Sequence, residues 1–563
     1  MLFLFNKMIK HLKRFGAFYL IGIGVLLIAL SPIVRGRFDL SEDGKYTLSE
    51  SSEVILDSID APVNVQVYLG GDDLPGGFKR LQKETLDLLA EMKSVSPANI
   101  EIQLIDVYEE YPTEEARASL TRTLDSLGIP PTNLVSKDNG KQVQQLIFPG
   151  LVISKGALKT GVLLLKGNKL ASPEEIINQS IEGLEFEIVQ AIQTLLPQER
   201  KKIGFFVEYS ATPAIAQIDL INSLKRKYDL FPVDLAASPT LDGLDGICVL
   251  QPTREFSESD AYKIDQFIVK GGKAIFLVDG VKVDTLETQG LAISPRKTGL
   301  ENILFHYGLR INANLVKDAQ LSGMIPLNVG NMGNKPNIQL MPWPAFPLLN
   351  GNPQHIITKN LDAIYGRFVS TIDTISGVAL HKTALLKTSQ YTQLAKAPSL
   401  LSLSSAGKDF DPAAYTAGVQ TAAYLVEGKF ESAFQHLTQD TSFVASGKSA
   451  TAIILISDGD VAVNGVDYQA KQAMPLGFDS FMKNTFANKD FILNAFTYLL
   501  DDNSPLLARS KSIKLRPLDK AKIQADGTFY QVINIAVPLL FATLLSLAVV
   551  FYRKRKYNRK YNQ

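Results

Sequence analysis

The stretch GICVLQPTREFSESDAYKIDQFIVKGGKAIFLVD, at residues 246–279, decides the fold of this chain. It begins with a short apolar run, which predicts a strand at residues 246–250. It continues with a helical pattern over residues 258–270 that ends at a pair of glycines, and it closes with a second predicted strand at residues 274–279. Short apolar runs that alternate with helices are typical of strands buried in a parallel sheet. The stretch therefore predicts a strand–helix–strand unit of an α/β domain, with helices on the faces of the sheet.

The same alternation continues on both sides of this unit. The further predicted elements are a strand at residues 203–208, a helix at residues 215–228, a strand at residues 452–457 and a helix at residues 490–500. The long segment before the last strand, residues 281–450, is rich in turns and short strands, with one clear helix at residues 298–306. We therefore expect a Rossmann-like parallel-sheet domain, formed by residues 200–280 and 451–505, that carries an inserted α+β region.

Another set of strands and helices precedes this domain. The predicted strands lie at residues 63–69, 100–107, 150–154 and 161–165, with helices between the first three. This order resembles the thioredoxin-like layout, but no active-site cysteine pair is present, so residues 63–170 are interpreted as a thioredoxin-like scaffold domain. Ser172, Pro173 and Glu175 supply the cap, the first-turn proline and the capping-box acid of a helix start. They predict a bridging helix within residues 171–199.

Both ends of the chain contain an apolar run without a charged residue, at residues 15–34 and 530–551. Each run is long enough to cross a hydrocarbon core of about 30 Å as a helix. Lysines and arginines cluster before the first run and after the second, which predicts cytoplasmic termini and a body outside the cytoplasm. The alternative for the first run is a cleaved signal peptide, with Ala29 and Ser31 near the cleavage site and Pro32 disfavouring cleavage.

The remaining segments follow from this topology. They are a cytoplasmic tail at residues 1–14, a membrane-proximal linker at residues 35–62, a basic juxtamembrane segment at residues 506–529 and a basic cytoplasmic tail at residues 552–563. Within the second apolar run, Asn534 can hydrogen-bond to a neighbouring helix, and Pro538 leaves the carbonyl of Asn534 without its helical donor. Both residues are therefore predicted to contact a partner; the alternative is that they only adapt the helix to local packing.

Composition argues against several classes of protein. The net charge of +1 argues against a nucleic-acid partner. The only cysteine, Cys248, lies within a predicted buried strand, so it is interpreted as a core residue rather than a nucleophile. The five histidines lack paired ligand spacing, and no hydrolase, metalloprotease or dinucleotide-binding motif occurs. We therefore expect no metal, no cofactor and no catalytic residue.

Polar side chains follow the predicted parallel strands at their carboxyl ends. They are Glu208, Gln251, Asp279 and Asp458, with Asp460 two residues further along the chain. In open α/β sheets, ligands bind at this edge. One interpretation is a site for a polar or cationic ligand; the alternative is that the acids cap the following helices and satisfy loop amides.

The segment MPWPAFP, at residues 341–347, contains the only tryptophan of the chain. Trp343 and Phe346 lie between prolines, and a stiff, extended, aromatic segment suits a surface that docks a partner. The alternative is a loop packed over the inserted region.

A series of short motifs in this order resembles a known family. The motifs are PW..FPL at residues 342–348, His355 with Asn360-Leu361-Asp362, Leu386-Lys387-Thr388-Ser389, Glu427-Gly428-Lys429-Phe430, Ser457-Asp458-Gly459-Asp460, Asn488-Lys489-Asp490-Phe491 with Asn494, and Arg516-Pro517-Leu518-Asp519. Together they resemble the gliding-motility-associated substrate-binding component of an ABC transporter of Bacteroidota, within an ABC-transporter auxiliary family, over nearly the whole chain. The second sheet domain also resembles glutamine-amidotransferase-like folds that have lost their catalytic residues.

The resemblance implies a non-catalytic subunit of an ABC transporter complex that is required for bacterial gliding motility. It further implies a two-pass protein of the bacterial inner membrane, with its body in the periplasm and with a permease and a separate cytoplasmic ATPase as partners. Membrane lipid and a second copy of the chain are also expected partners, and nucleic acid is not. The alternative function is a membrane-tethered solute-binding protein that captures a sugar or a peptide at the strand-end edge.

Overall fold

A computed structural model places the chain in a mixed α/β fold. It describes residues 47–558, apart from residues 72–73, 139–140, 167–171, 198, 287–289, 334, 404–405, 408–410, 436–441, 502–505, 507 and 509–519. The chain divides into two compact units, residues 1–512 and residues 513–563. The first apolar run, predicted at residues 15–34, lies outside the described residues.

The N-terminal part of the first unit is built on a small mixed sheet. Its strands are β1 Val63–Val67, β2 Ile100–Leu104, β3 Thr132–Asp138, β4 Lys141–Ile147, β5 Gly150–Lys155 and β6 Leu158–Leu163. Its helices are Glu50–Asp57, Gly76–Val95, Val107–Glu110 and Glu114–Ser126. Four strands pair in the order β2-β1-β5-β6, with β1 parallel to β2 and antiparallel to β5. The four strands predicted here are all present, whereas the hairpin of β3 and β4 was not predicted.

A long helix, Pro173–Thr194, follows the small sheet. The side chain of Ser172 accepts a hydrogen bond from the backbone N–H of Glu175, which is the predicted start signal. The buried face of the helix packs into the core of the small sheet. On another face, Glu182 accepts a hydrogen bond from the side chain of Asn360 at 3.0 Å, so the helix contacts both parts of the unit.

The rest of the first unit surrounds a ten-stranded sheet and several small sheets. The strands are β7 Lys202–Phe205, β8 Asp229–Pro232, β9 Gly246–Leu250, β10 Lys273–Leu277, β11 Val281–Leu286, β12 Gly290–Pro295, β13 Leu309–Ile311, β14 Asn314–Asp318, β15 Ser322–Met332, β16 Lys335–Gly351, β17 Ile364–Tyr365, β18 Ile372–Thr374, β19 His381–Lys387, β20 Thr392–Lys396, β21 Ser399–Leu401, β22 Thr421–Gly428, β23 Thr451–Ile456, β24 Val466–Asp467, β25 Gln472–Ala473, β26 Phe478–Asp479 and β27 Asn484–Thr485. The helices are Ile218–Lys225, Glu258–Val269, Glu301–His306 and Asn488–Leu500.

Five neighbouring strands of the large sheet are parallel, in the order β8-β7-β9-β10-β23. Both faces of this part are covered, which explains the continuous apolar runs of its strands. On β9, Ile247 and Val249 belong to the core that includes the helix Glu258–Val269, and Cys248 and Leu250 belong to the core on the opposite face. The predicted pairing of β23 with the earlier strands is confirmed, although 173 residues separate it from β10 along the chain.

The segment at residues 281–450 extends this sheet. Strands β22, β19, β16 and β15 continue it from β23 with antiparallel pairing. The hairpin of β15 and β16 is long, whereas the sequence predicted only short strands in this region. The prolines of β16 at residues 336, 342, 344 and 347 weaken the strand signal, since proline cannot donate to a ladder of hydrogen bonds.

The second unit is described here by itself. Its helix spans Lys520–Asn558, with a non-helical residue at Asp526 (φ −125°, ψ 16°) and with Pro538 inside it. The portion Asp526–Phe551 is long and apolar enough to cross a membrane, and no other helix among the described residues meets that condition. It includes the second predicted run, residues 530–551; anchoring at both ends of the chain stays a prediction.

Candidate functional site

The carboxyl ends of the three central parallel strands bring polar side chains together. β9 is followed by Gln251, whose backbone φ of 44° lies in the left-handed region that side chains other than glycine rarely adopt. β10 leads to Asp279, and β23 leads to Asp458 and Asp460 at the start of a 3-10 turn, Gly459–Ala462. Because these strands are neighbours and parallel, their ends meet at one edge of the sheet.

Hydrogen bonds connect these ends. The Asp279 carboxylate accepts from the backbone N–H of Gly459 at 2.7 Å, and Asp460 accepts from the Gln251 side-chain amide at 3.1 Å. The Gln251 carbonyl oxygen in turn accepts from the hydroxyl of Thr212 at 2.6 Å. We call Gln251, Asp279, Asp458 and Asp460 the acid cluster.

Asp458 joins the cluster to the inserted segment. Its side chain is fully buried. One carboxylate oxygen accepts from the backbone N–H of Arg367 at 2.7 Å, and the other accepts from the backbone N–H of Asp460 at 2.9 Å. The preceding hydroxyl, on Ser457, donates to the carbonyl of Ser370 at 2.6 Å. The turn after β23 therefore holds the loop at residues 366–370 against the edge of the sheet.

The surroundings raise the pKa of all three carboxyl groups above the ordinary value, which favours their protonated forms. Burial, and then the charge of Asp460, raise the pKa of Asp279 to about 6. Burial and the charges of Asp460 and Asp279 raise the pKa of Asp458 well above its usual range. Burial also raises the pKa of Asp460, although Arg367, the Gln251 amide and Arg296 oppose the shift. Since like charges in a poorly hydrated site repel strongly, simultaneous ionisation of all three carboxyl groups is disfavoured.

Close packing leaves little room between the loops of the cluster. A Cβ atom on Gly459 would lie 2.5 Å from Cγ of Gln251, and one on Gly366 would lie 3.2 Å from a carboxylate oxygen of Asp458. Real Cβ atoms essentially never come as close as 2.5 Å, so a side chain at residue 459 would displace Gln251, and one at residue 366 would crowd Asp458. These contacts agree with the alternative interpretation of the sequence, in which the acids satisfy loop amides and turns. Binding of a ligand at the cluster stays a prediction.

Glu208 is not part of this cluster. After β7 ends, the chain enters a 3-10 turn, Val207–Tyr209, and the side chain of Glu208 is exposed. Its backbone carbonyl accepts from Arg254 at 3.2 Å. Conversely, the sequence did not identify Thr212, Arg296 and Arg367 as neighbours of the cluster, because these residues follow no strand-end pattern.

The cluster shows no arrangement suited to a metal. Among the described residues, no three histidine, cysteine or acidic side chains are placed to hold a metal ion. A cavity of about 330 Å³ lies at the opposite, amino-terminal end of the sheet, where Asp245, Gly272 and Lys273 contribute to its wall. The cavity therefore does not overlap the cluster.

The aromatic segment lies on β16 and packs inward. Trp343 is 2% exposed, so its ring is unavailable as the exposed docking residue that the sequence predicted. It packs edge-on against Phe346 and Phe368, at 4.7 and 5.8 Å between ring centroids. The guanidinium of Arg367 lies 5.7 Å from the ring centre of the half-buried Phe346, so Arg367 joins the aromatic group to the acid cluster. A docking role for this segment stays a prediction.

Asn534 and Pro538 lie in the helix of the second unit. Both are exposed within that unit, and the helix continues through Pro538. Proline lacks an N–H, so the carbonyl of Asn534 lacks the usual helical hydrogen bond from the residue four positions along the chain. Contact of either residue with a partner also stays a prediction.

Comparison with known protein families identifies the family of this chain. A family described as "ABC-type uncharacterized transport system", of the auxiliary type, matches residues 200–495, which contain the parallel sheet, the acid cluster and the inserted segment. The chain belongs to this family. As an auxiliary component of an ABC-type transport system, it has a permease and an ATPase as implied partners. Residues 42–154 match a domain of unknown function (DUF7088).

Other comparisons add no functional detail. None of the curated proteins matches this chain. Among solved structures, the "mmIFT52 N-terminal domain" is similar at 10% identity and a TM-score of 0.29, covering 54% of this chain and 98% of that domain. A TM-score this low carries no conclusion about the fold or the role of the chain.

Proposed function

We propose that this member of the ABC transport auxiliary family is a non-catalytic subunit of a transporter complex required for bacterial gliding motility. The observation that carries the proposal is the family match over residues 200–495. The motif series quoted from the sequence supports the assignment to gliding motility. The partners are an ABC permease, a separate cytoplasmic ATPase, membrane lipid and a second copy of the chain.

The environment of the polar groups supports a role without catalysis. Each acid of the cluster has a hydrogen-bond donor within the protein. Cys248 is fully buried, and burial raises the pKa of its thiol, which disfavours the reactive thiolate. The cluster therefore fits a structural joint between the sheet and the inserted segment better than a reaction centre.

The topology supports two scaffold domains. In the small sheet, the order β2-β1-β5-β6, with one parallel and two antiparallel pairs, agrees with a thioredoxin-like fold that lacks the cysteine pair. The parallel strands β8-β7-β9-β10-β23 agree with a Rossmann-like, amidotransferase-like fold. In this proposal both domains lie in the periplasm, and helices at residues 15–34 and 530–551 anchor them in the inner membrane.

Affinity purification tests the proposed assembly. A tagged full-length chain, solubilised from membranes in mild detergent, should co-purify with one polytopic permease and one ATPase. A variant that lacks residues 520–563 is the control, and it should lose most of both partners. Recovery of the full-length chain alone would contradict the proposal.

A second candidate function is a tethered solute-binding protein. It is favoured by one observation, the convergence of Gln251, Asp279 and Asp460 at the sheet edge where α/β proteins bind ligands. The test is thermal unfolding of the full-length chain with panels of sugars and peptides. A ligand that raises the unfolding temperature of the wild type, but not of an Asp460→Asn variant, would support this function; no shift with any panel member would exclude those classes.

A further inference from the structure

The bridging helix, Pro173–Thr194, meets both segments that lead to the apolar runs at the ends of the chain. We call three of its residues, Glu182, Glu185 and Phe186, the clasp. Their spacing of i, i+3 and i+4 makes their side chains neighbours on the surface of the helix. Each of the three contacts a different segment of the chain, and all of these contacts lie within the first unit.

Glu185 holds the N-terminal segment, residues 47–57. One oxygen of its carboxylate accepts hydrogen bonds from the backbone N–H of Ser49 and from the hydroxyls of Ser49 and Ser52, each at 2.7 Å. Ser49 is also the N-cap of the helix Glu50–Asp57, and Ser52 is fully buried. Hydrogen bonds to a carboxylate are stronger than those between neutral groups. The start of the first described helix is therefore fixed to the clasp.

Phe186 holds the C-terminal segment of the first unit. Its ring is 1% exposed and shares a small core with Leu506 and Ala508, which are 0% and 3% exposed. The half-buried Ile356 and Tyr498 pack against the same core. Leu506 and Ala508 precede the helix that contains the second apolar run. This segment is therefore attached one residue along the helix from the attachment of the N-terminal segment.

The third residue of the clasp, Glu182, contacts the part of the unit that contains the large sheet. Its carboxylate accepts a hydrogen bond from the side-chain amide of Asn360 at 3.0 Å. Close by on the helix, Glu187 pairs at 2.8 Å with Lys166, which follows the small sheet, and the same ammonium lies 3.8 Å from the carboxylate of Asp490 in the large-sheet part. Contacts between the two parts and the attachments of both segments thus share one short stretch of the helix.

A helix that only joins two domains needs no contact with the segments that lead to a membrane. We propose that the clasp couples the two membrane anchors to the contact between the small-sheet part and the large-sheet part. Because both segments are attached at adjacent residues, a change in the separation of the anchors acts on one turn of the helix and changes the relative orientation of the two parts. This inference rests on the anchoring proposed at both ends of the chain, and it is independent of the transported substrate.

The distance between the two parts in bilayers of different thickness tests the coupling. Cys248 is fully buried, so nitroxide labels attach selectively to a Leu158→Cys, Tyr468→Cys chain, whose labelled positions are 58% exposed in the small-sheet part and 78% exposed in the large-sheet part. The full-length chain is placed in nanodiscs of short-chain or long-chain lipid, since bilayer thickness changes the tilt of transmembrane helices and thereby their separation at the membrane surface. We expect the mean distance between the labels, measured by double electron–electron resonance, to differ by about 2 Å or more between the two lipids.

Variants of either segment show whether the clasp transmits the effect. Leu506→Ala removes apolar contact from the C-terminal segment, and Ser49→Ala with Ser52→Ala removes two of the three hydrogen bonds to the N-terminal segment. Since a change in separation acts only when both segments are attached, each variant should abolish the dependence on lipid. Leu401→Ala is the matched control, because it removes a buried leucine from another core, and it should keep the dependence.

The outcomes separate this inference from the transporter assignment. Equal distances in the two lipids for the wild type, or a dependence on lipid that survives in either folded segment variant, would overturn the coupling and leave the transporter assignment standing. Unchanged circular dichroism and Trp343 emission show that a variant is folded; if Leu506→Ala does not fold, the serine variant decides alone. A chain that lacks residues 520–563 should also lose the dependence, and a dependence that remains there would overturn the role of the second anchor and with it the inference. Co-purification of the permease and the ATPase tests the transporter assignment separately.

Discussion

Replacement of Asp460 by asparagine should stabilise the protein above pH 6 and leave its stability unchanged near pH 4. The carboxyl of Asp460 lies among groups that it repels, because its charge raises the pKa of both Asp279 and Asp458. Asparagine keeps an oxygen that can accept from the Gln251 amide, so the main loss is one negative charge. The pKa of Asp279 should then fall from about 6 towards 3.8.

The size of the effect follows from proton linkage. A folded-state pKa of about 6 against an ordinary value of 3.8 corresponds to roughly 3 kcal/mol, at 1.36 kcal/mol for each pKa unit. Burial is the first cause and the charge of Asp460 the second, so removing that charge recovers about 1 kcal/mol. Since the folded-state pKa is raised, the stabilising effect of the protonated group is complete below about pH 4 and is lost as the pH rises through 6.

Urea unfolding of the full-length chain in detergent, followed by the fluorescence of Trp343 between pH 4 and 8, measures this gain. Trp343 is the only tryptophan and is 2% exposed, so its emission reports the folded state of the part that contains the cluster. Glu208→Gln is the matched control, because it removes a strand-end carboxylate that lies outside the cluster; its effect should stay within about 0.5 kcal/mol at every pH. If Asp460→Asn were less stable than the wild type at pH 7.5, attraction to Arg296 and Arg367 would outweigh repulsion, and the reasoning would be refuted.

Three further predictions concern other parts of the chain. Asp265→Ala should destabilise the first unit by about 4 kcal/mol, measured by urea unfolding. The buried carboxylate of Asp265 accepts hydrogen bonds from the hydroxyls of Tyr307 and Ser432 and from the backbone N–H of Ala433, and the variant leaves these donors without it. A loss of less than about 1 kcal/mol would contradict this prediction. Gly459→Ala should lower the free energy of unfolding by about 1–3 kcal/mol, because the added Cβ clashes with Gln251. Gly183→Ala lies on a helix with open space at that position, and it should raise the free energy of unfolding by about 0.5–1 kcal/mol. Equal effects of the two variants would exclude the clash. Replacement of residues 530–551 by an unrelated apolar helix should leave the body folded and exported but abolish gliding, and normal gliding in a motility assay would show that this span is only an anchor.

The central sheet could be predicted because its environment is uniform. β9 and β10 are covered on both faces, and such strands must be apolar at every position, whatever the rest of the chain does. The predicted boundaries of β9, residues 246–250, coincide with those of the structure. Parallel strands also fix which ends meet, so the convergence of Gln251, Asp279 and Asp458 followed from the strand predictions alone.

The partners of the cluster could not be predicted in the same way. Arg367 reaches Asp458 across 91 residues, and its backbone N–H, rather than its charged side chain, makes the contact. A backbone donor leaves no signal in residue type. Glu208 lies outside the cluster for a related reason. Its position after β7 matches the strand-end pattern, but the local 3-10 turn directs its side chain outward.

β16 connects the acid cluster to the aromatic group of the inserted segment. Phe346 packs under the guanidinium of Arg367, and the backbone N–H of Arg367 donates to Asp458. Trp343 packs edge-on against Phe346, with 4.7 Å between the ring centroids. A change in the cluster that moved Arg367 would therefore act on Trp343 through Phe346. For this reason the emission maximum of Trp343 in the folded Asp460→Asn variant has to be measured beside its stability. Only a variant that keeps this emission maximum while gaining stability above pH 6 shows that repulsion within the cluster and packing of the aromatic group are separate properties of the fold.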